Sequence, residues 1–573
     1  MKQFFREHWL GLVLSIVIGI LIALPPIWFR FSADYRGFPM LKNNTEAHYM
    51  AQVQEVYDGY HGLGNNLYAD LKDSPYLFPL LPPNIIWGIG QILFLDTIQV
   101  IVVTRFLFSV LLAFTIYLFA LKLTANKLVA LVSAPFVMLA YGLVDPMAII
   151  SWIKTGAFPS EHQFLHYGRP INPSISSLFF FGYLLFFWQF LYEPAKTKVN
   201  GTLATLLLGL SFYVYLFTWT FILTLNGFFF LIFLCKKDWV KVKKIMLVSV
   251  GGVLIGSVYW INYWQAAHHS WYEESATRFG FVPSRALNIS RLVFGVLVAF
   301  AVTYKILDQR VREFFLAFFP TAIFVVNEQL ITGYYIFNHH YHWNYNTPLV
   351  IILITIIIFA LCQKFIKNKF IAPSIAMLLI LGCLGAGVTE QKISYSAAVP
   401  STIAEQRYAS VFNWLKSETK KDETVLAAYE MTDYIPALTH NNVFYSSSGV
   451  YTLFPTERLE NQYVAYHYLE GIPKKGYREY LEERRVEVSY FLFAYTYRFQ
   501  EENCLTCFPN HFLGDLDAKY QNLTDKNFLE FLKQYPLDYI IWDKTKNPNW
   551  RLDRFNWSII KDFGEIVVYD VRG

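Results

Sequence analysis

Hydrophobic positions form long uninterrupted runs up to about residue 388 and short interrupted ones beyond it. A helix crossing the hydrocarbon of a bilayer needs about 17 to 25 mostly apolar residues. By that measure the chain predicts spans at 10–28, 98–121, 128–148, 174–191, 202–217, 219–235, 245–264, 292–306, 314–331, 347–362 and 370–388, about eleven in all. The first run follows Lys2 and Arg6, is broken near its end by Pro25 and Pro26, and lacks the small-residue site of a cleaved signal peptide, so it reads as a retained span. The stretch 202–235 is long for one crossing and short for two, and it is divided around Thr218.

Charge supports that division. With the N-terminus inside, the loops carrying Lys122 and Lys127, Lys196 and Lys198, the run 236–244, Lys305 with Arg310 and Arg312, and Lys364 with Lys367 and Lys369 all fall on the cytoplasmic side. Each is short and basic, as cytoplasmic loops are. A single span across 202–235 would invert every later loop. The opposite loops, 29–97, 149–173, 265–291 and 332–346, are mostly longer and mixed in sign. These signals predict an α-helical polytopic protein of the plasma (inner) membrane with a cytoplasmic N-terminus. Its transmembrane domain spans 1–388, with a first outer loop at 29–97.

The tail 389–573 has another texture. Strand-like runs at 424–428, 443–445, 539–542 and 566–571 alternate with helical patterns at 404–416, 456–469, 477–485 and 525–534, which predicts a soluble extracytoplasmic α/β domain. Some 185 residues suffice for a core of their own.

Composition narrows the classes of function. Charged residues make up only 16% of the chain, against about a quarter in soluble domains, and mean hydropathy is positive. The net charge of +5 is spread over short loop clusters, so nucleic acid is not an expected partner. Aromatic residues reach 18%, a level compatible with rings at both membrane interfaces and equally with rings that stack on sugars. Of five cysteines, Cys235, Cys362 and Cys383 lie in or beside spans and read as packing residues, while Cys504 and Cys507 form CLTC in the tail, where a local disulfide is favoured over zinc.

Candidate chemistry gathers in the loops opposite the basic ones. In the stretch 34–58, Asn44 or Thr45 is placed to cap a helix whose apolar face is Tyr49, Met50, Val53, Val56 and Tyr57, lying along the membrane. Glu46 then sits in the first turn, where it either complements the helix dipole or serves as a proton acceptor or cation ligand. Asp34, just outside the first span, is the rival carboxylate. Arg169 and Arg278 are the outer-loop arginines suited to phosphate contact, although topology or pairing with Glu273 and Glu274 also accounts for them. His339, His340 and His342, with His268 and His269, admit a metal reading, a phosphate hydrogen-bonding reading through His340 or His342, and a packing reading. Glu161, His162 and His166 precede Arg169 and are further cleft candidates. There is no Walker loop, dinucleotide turn or nucleophile elbow.

The run Thr45-Glu46-Ala47-His48-Tyr49, continuing through Gln54-Glu55-Val56-Tyr57-Asp58-Gly59, resembles the signature region of polytopic membrane glycosyltransferases of the C superfamily, which take sugars from polyprenyl-phosphate donors. Thr45 stands where the first acid of the family's usual pair would be. The segments Arg169-Pro170-Ile171-Asn172-Pro173, Asn327 to Gly333 and Asn338 to Asn346 look like segments of bacterial members that also carry an outer C-terminal domain. The resemblance implies transfer of a sugar from a polyprenyl-phosphate donor in the bilayer to a glycan, lipid or protein acceptor at the extracytoplasmic face. It implies Glu46 or Asp34 as the base, with His48, Tyr49, Arg169, Asn172, Arg278, His340 and His342 around donor or substrate. The cofactor is left open, a divalent metal being compatible. A transporter or flippase of lipid-linked molecules and a non-catalytic anchor for the outer domain are the alternatives; ionisable groups gathered in loops rather than mid-span disfavour the transporter.

Overall fold

The computed structural model describes residues 2–41, 44–145, 147, 150, 154, 164–279, 282–492 and 511–572. Helices occupy every expected span. Among the described residues six helices are long and apolar enough to cross a membrane, seven if the bent pair Trp239–Ile255 and Ser257–Ala267 counts as one crossing. The chain is thus an integral membrane protein. Four of the eleven expected spans, Lys127–Leu139, Thr197–Ser211, Arg291–Thr303 and Gln309–Phe324, are helices of only 13, 15, 13 and 16 residues. At 1.5 Å per residue they reach roughly 20 to 24 Å, short of a hydrocarbon core of about 30 Å. The break expected around Thr218 lies slightly earlier, between the helix ending at Ser211 and the one starting at Leu216.

Two apolar cores organise these elements. One is formed by the membrane helices, with Phe119, Phe181, Trp188 and Phe314 among its fully packed rings. The other joins the loop after the first span to the C-terminal residues: Phe38, Met50 and Val53 share it with Val411, Leu426 and Ile540. The boundary expected at 388 falls inside a continuous helix, Ile371–Glu405, which carries the chain from the membrane helices into the C-terminal core. At its end Gln406 clasps the first loop, accepting from the amides of Arg36 at 2.8 Å and Phe38 at 3.2 Å and donating to the Phe38 carbonyl at 2.9 Å.

The C-terminal sheet has five strands: β3 (Thr424–Ala427), β4 (Asn442–Val443), β5 (Tyr539–Asp543), β6 (Ser558–Asp562) and β7 (Ile566–Asp570), in the order β4-β3-β5-β7-β6. β3 pairs in parallel with β4 and β5, and β7 pairs antiparallel with β5 and β6. The continuous apolar runs TVLA, YIIWD and IVVYD are buried almost throughout, as expected of strands covered on both faces. β6 was not legible from pattern; it is an exposed edge whose Lys561 and Asp562 suit a strand facing water. A two-residue pair, Val282–Pro283 (β1) with Tyr334–Tyr335 (β2), ties two of the long loops together.

The loop helix Asn44–Tyr57 forms where its periodicity placed it, but it does not lie on the membrane. Met50 and Val53 are fully buried against the C-terminal core, because the short helix Ile435–Leu438 and its neighbours cover that face. Its first turn is equally enclosed. Glu46 is fully buried and forms an ion pair with Arg105 of helix Thr97–Thr124, itself only 5% exposed. Breaking a buried pair by removing one partner costs about 3–5 kcal/mol, whereas replacing both by apolar residues is often neutral. Arg105→Leu should therefore lower the thermal unfolding midpoint of the purified protein markedly, and Glu46→Leu combined with Arg105→Leu should recover most of the loss. Equal destabilisation by the single and double variants would mean the pair does not hold this joint.

Candidate functional site

A cavity of roughly 1770 Å³ opens between the membrane helices and the C-terminal core. Its membrane-side wall comes from helix ends and is aromatic: Phe212, Tyr215, Phe217, Trp219, Tyr259 and Trp260. Phe212 and Trp219 stack at 4.5 Å with planes 10° apart. The helix Ser257–Ala267, bent 50° from its predecessor, turns Tyr259, Asn262 and Tyr263 into the cavity while Trp264 and Ile261 face outward.

Five of the nine residues singled out from the sequence meet in this cavity: His48, Tyr49, Arg169, Asn172 and His340. His48 and Tyr49 come from the loop helix, with Gln52 one turn on. Gln52 Nε2 lies 3.0 Å from His48 Nε2, so Gln52 donates, His48 Nε2 accepts, and the ring's proton resides on Nδ1, which has no partner among the described residues. Arg169 and Asn172 sit on the turn before helix Ser174–Tyr192. Ser174 Oγ secures that turn by reaching the carbonyls of Tyr167 at 2.6 Å and Arg169 at 2.7 Å, and the Asn172–Pro173 peptide is cis. Asn172 hydrogen-bonds the Tyr49 phenol. His340 bonds Tyr215 through Nδ1 and stacks on Phe217 at 4.9 Å.

Arg169 is the distinctive group. It lies near Tyr49 and His340 electrostatically, yet among the described residues it makes no ion pair, and its Nε has no hydrogen-bond partner. With no carboxylate against it among the described residues, this half-buried guanidinium beside an apolar wall has the chemistry to take an anion.

The other four residues lie elsewhere. Glu46 does not reach the cavity wall; Arg105 engages it one turn before His48. Asp34 is exposed in the turn after the first helix and does not line the cavity. Arg278 is completely buried, donating to Thr456 Oγ1 at 2.7 Å, to Ser275 Oγ at 2.9 Å and to the Phe454 carbonyl, so it fastens helix Tyr272–Phe279 to the C-terminal core. His342 faces Ser290 Oγ at 3.3 Å; the backbone at 339–346 is helical, which turns residues two apart to different sides and separates His342 from His340. His339 does join His340 in the wall, their rings 4.3 Å apart. His166 stacks on Tyr141 at 5.1 Å outside the lining. His268 caps the carbonyl of Trp264 at 2.8 Å and also lies outside it. Glu161, His162, Cys504 and Cys507 lie outside the described residues. Cys362 and Cys383 are buried as packing residues, whereas Cys235 is exposed at its helix end. Among the described residues no three His, Cys, Asp or Glu side chains converge as metal ligands do.

Sequence reading missed the C-terminal wall. Asp433, Tyr445, Tyr463, His467, Glu487 and Asn547 all line the cavity. Nothing marked them in advance, since they lie far apart in the chain and converge only through the sheet.

No family model matches the chain, and no curated protein matches it. Solved structures similar to it include the following two. The oligosaccharyltransferase of Archaeoglobus fulgidus in its apo form aligns over 94% of this chain and 70% of its own, at 11% identity and a TM-score of 0.45. ArnT from Cupriavidus metallidurans, bound to undecaprenyl phosphate, aligns over 99% of this chain and 98% of its own, at 10% identity and a TM-score of 0.49. Likeness at this level transfers no chemistry to the present chain.

Burial lowers the pKa of His48 to about 4 and that of His467 to about 3, so both imidazoles stay neutral in the fold. In the unfolded chain each takes a proton near pH 6.5. Between these values the unfolded state binds more protons, so the stability present at pH 7 is lost as pH falls, by about 2 kcal/mol per histidine at pH 5. The unfolding midpoint of the wild type should drop between pH 7 and pH 5, and a variant carrying His48→Gln and His467→Gln should show a flatter dependence. Parallel pH profiles would refute the neutral burial of both rings.

Proposed function

We propose that the protein is an integral-membrane glycosyltransferase that takes a sugar from a polyprenyl-phosphate donor and passes it to an acceptor at the extracytoplasmic face. The observation that carries this reading is Arg169, a guanidinium with no carboxylate partner among the described residues, which lines the cavity with Tyr49, Asn172 and His340 beside an aromatic wall built from membrane helix ends. That combination suits an amphiphile with an anionic head and an apolar tail. The resemblance of the loop-helix run to the C superfamily supplies the reaction class.

In this reading Arg169 contacts the phosphate, with His340 and Asn172 at its side and His48 Nδ1–H as a further donor. The acceptor oxygen forms a bond to the anomeric carbon as the bond from that carbon to the phosphate oxygen breaks, with inversion, and the phosphate leaves with the bonding pair. The acceptor hydroxyl's proton passes to a carboxylate. Because Arg105 occupies Glu46 and Asp34 lies outside the cavity, the role falls to one of the four carboxylates of the wall, Glu273, Asp433, Glu470 and Glu487. Asp433 is the buried one, and burial raises its pKa as suits a general base. An outward-facing C-terminal domain and a cytoplasmic N-terminus follow from the basic loops and belong to the same reading.

The test is binding of undecaprenyl phosphate to the protein in nanodiscs, followed by transfer from a radiolabelled polyprenyl-phosphate sugar. Arg169→Ala should weaken phosphate binding at least tenfold and abolish transfer, and Arg169→Lys should keep part of both. Equal binding of undecaprenol and undecaprenyl phosphate, or binding indifferent to Arg169→Ala, would remove the donor assignment.

A further inference from the structure

The C-terminal wall of the cavity has its own chemistry, and the sheet explains where it sits. The chain enters at β3, places β4 on one side and later β5 on the other, so the connections leave β3 and β5 in opposite directions. In open α/β sheets the crevice at the carboxyl ends of strands, where the order switches, is the usual place for a ligand. Here the segments following β3, β4 and β5 bring Asp433, then Tyr445 and Ser448, then Lys546 and Asn547 into the cavity wall. The turn after β5 is shaped by Asp543, whose Oδ1 accepts from the Thr545 amide at 3.0 Å and whose carbonyl accepts from the Asn547 amide at 2.8 Å.

Two buried polar atoms in this wall lack partners among the described residues. The Tyr463 hydroxyl, on a residue 2% exposed, neither donates nor accepts, and Asn547 Oδ1, on a residue 6% exposed, accepts nothing, although its amide donates to the Tyr466 hydroxyl at 3.0 Å. Leaving a buried polar group unpaired costs its desolvation, so a ligand that satisfied both would recover that cost. Asp433 adds a buried carboxylate braced by Ser446 Oγ at 2.7 Å. Glu470 and Glu487 lie in the same lining. Tyr445 and Phe491 stack at 4.9 Å and Phe491 and Tyr463 at 4.4 Å, giving the wall a rigid run of ring edges. Three carboxylates against Lys546 repel an anion from this wall. They accept hydrogen bonds from hydroxyls.

We propose that this lobe, at the carboxyl ends of β3 and β5, is a binding site for a neutral carbohydrate, held by Asp433, Tyr463 and Asn547. The inference rests on the transferase reading in one respect, that the sugar bound here is the acceptor. The lobe therefore selects a neutral glycan acceptor over a phosphorylated or peptide one. Hydroxyls donate to Asp433 and Asn547 Oδ1, and the Tyr463 hydroxyl donates to a ring or hydroxyl oxygen.

Saturation-transfer NMR on the full chain in nanodiscs tests the site without requiring transfer. The probes are neutral di- and trisaccharides of the gluco, galacto, manno and arabino series, with glucosamine, glucose 6-phosphate and a tripeptide as comparators. At least one neutral series should bind, glucose 6-phosphate and the tripeptide should not, and Tyr463→Phe and Asp433→Asn should each weaken binding by tenfold or more. Tyr463→Phe removes only a hydroxyl that bonds no described residue, and an unchanged unfolding midpoint of the variant separates lost binding from misfolding. Arg169→Ala should leave saccharide binding unchanged. No neutral saccharide bound, glucosamine preferred over neutral sugars, or binding indifferent to Tyr463→Phe would overturn the site. Saccharide binding with these variant effects but no undecaprenyl phosphate binding would uphold the site and defeat the transferase reading, and donor binding with no saccharide binding would do the reverse.

Discussion

Everything that positions the cavity depends on the loop helix Asn44–Tyr57 being enclosed on every side. A helix whose first-turn carboxylate and later apolar residues are all buried has to be held by two different bodies. Arg105 supplies one hold, from a membrane helix, and the C-terminal core supplies the other through Ala47, Met50 and Val53. The strip left over, His48, Tyr49 and Gln52, is what the cavity sees. The ion pair therefore acts as a register device: it fixes the rotation of the helix, and with it which residues face the ligand. Buried ionic groups have this use even where they add little net stability.

The same enclosure joins the two halves of the chain into one working unit. Helix Ile371–Glu405 runs unbroken from membrane to sheet, Gln406 clasps the first loop, and Arg407 pairs with Asp543 beside the turn that carries Asn547. A cavity with one wall from each half keeps its shape only if these links resist sliding. Three separate joints, polar and directional, are better suited to that than an apolar interface, which tolerates small slips.

Much of this was legible in the amino-acid order, and the limits have physical reasons. The apolar runs and the runs at 424–427, 539–543 and 566–570 are local periodicities; helices form at the former, six or seven of them among the described residues long enough to span, and strands at the latter. Thr456–Leu469 matches its expected bounds. The edge strand β6 escaped because an exposed strand need not alternate. Arg169, Asn172 and His340 were legible because each sits beside the end of a membrane helix, where sequence position implies depth, and His48 and Tyr49 because they lie in the loop-helix run that resembles the family signature. Glu46 carried the family resemblance but is spent on Arg105, a partner about sixty residues on inside an apolar span, which no pattern in the loop announces. His342 was separated from His340 by a helical backbone where a strand had been the only geometry to unite them. Asp433, Tyr463 and Asn547 stayed hidden because strand order, unlike strand location, is not a local property.

The polarity of the cavity is the step from fold to chemistry. Among the described lining residues Arg169 has no carboxylate partner, whereas the C-terminal wall carries Asp433, Glu470 and Glu487 with Lys546, so in the proposed reading an anionic group is favoured at Arg169 rather than at that wall. An apolar, low-dielectric wall beside Arg169 strengthens that preference, because screening is weak where water is sparse. A donor phosphate drawn to Arg169 would present whatever it carries toward the carboxylate wall, and a neutral partner waiting there would meet it without competing for the same charge. In the proposed reading, two ligands of different charge thus take different walls of one chamber. That arrangement is hard to reconcile with a flat anchoring surface, and it requires no moving gate to bring the partners together.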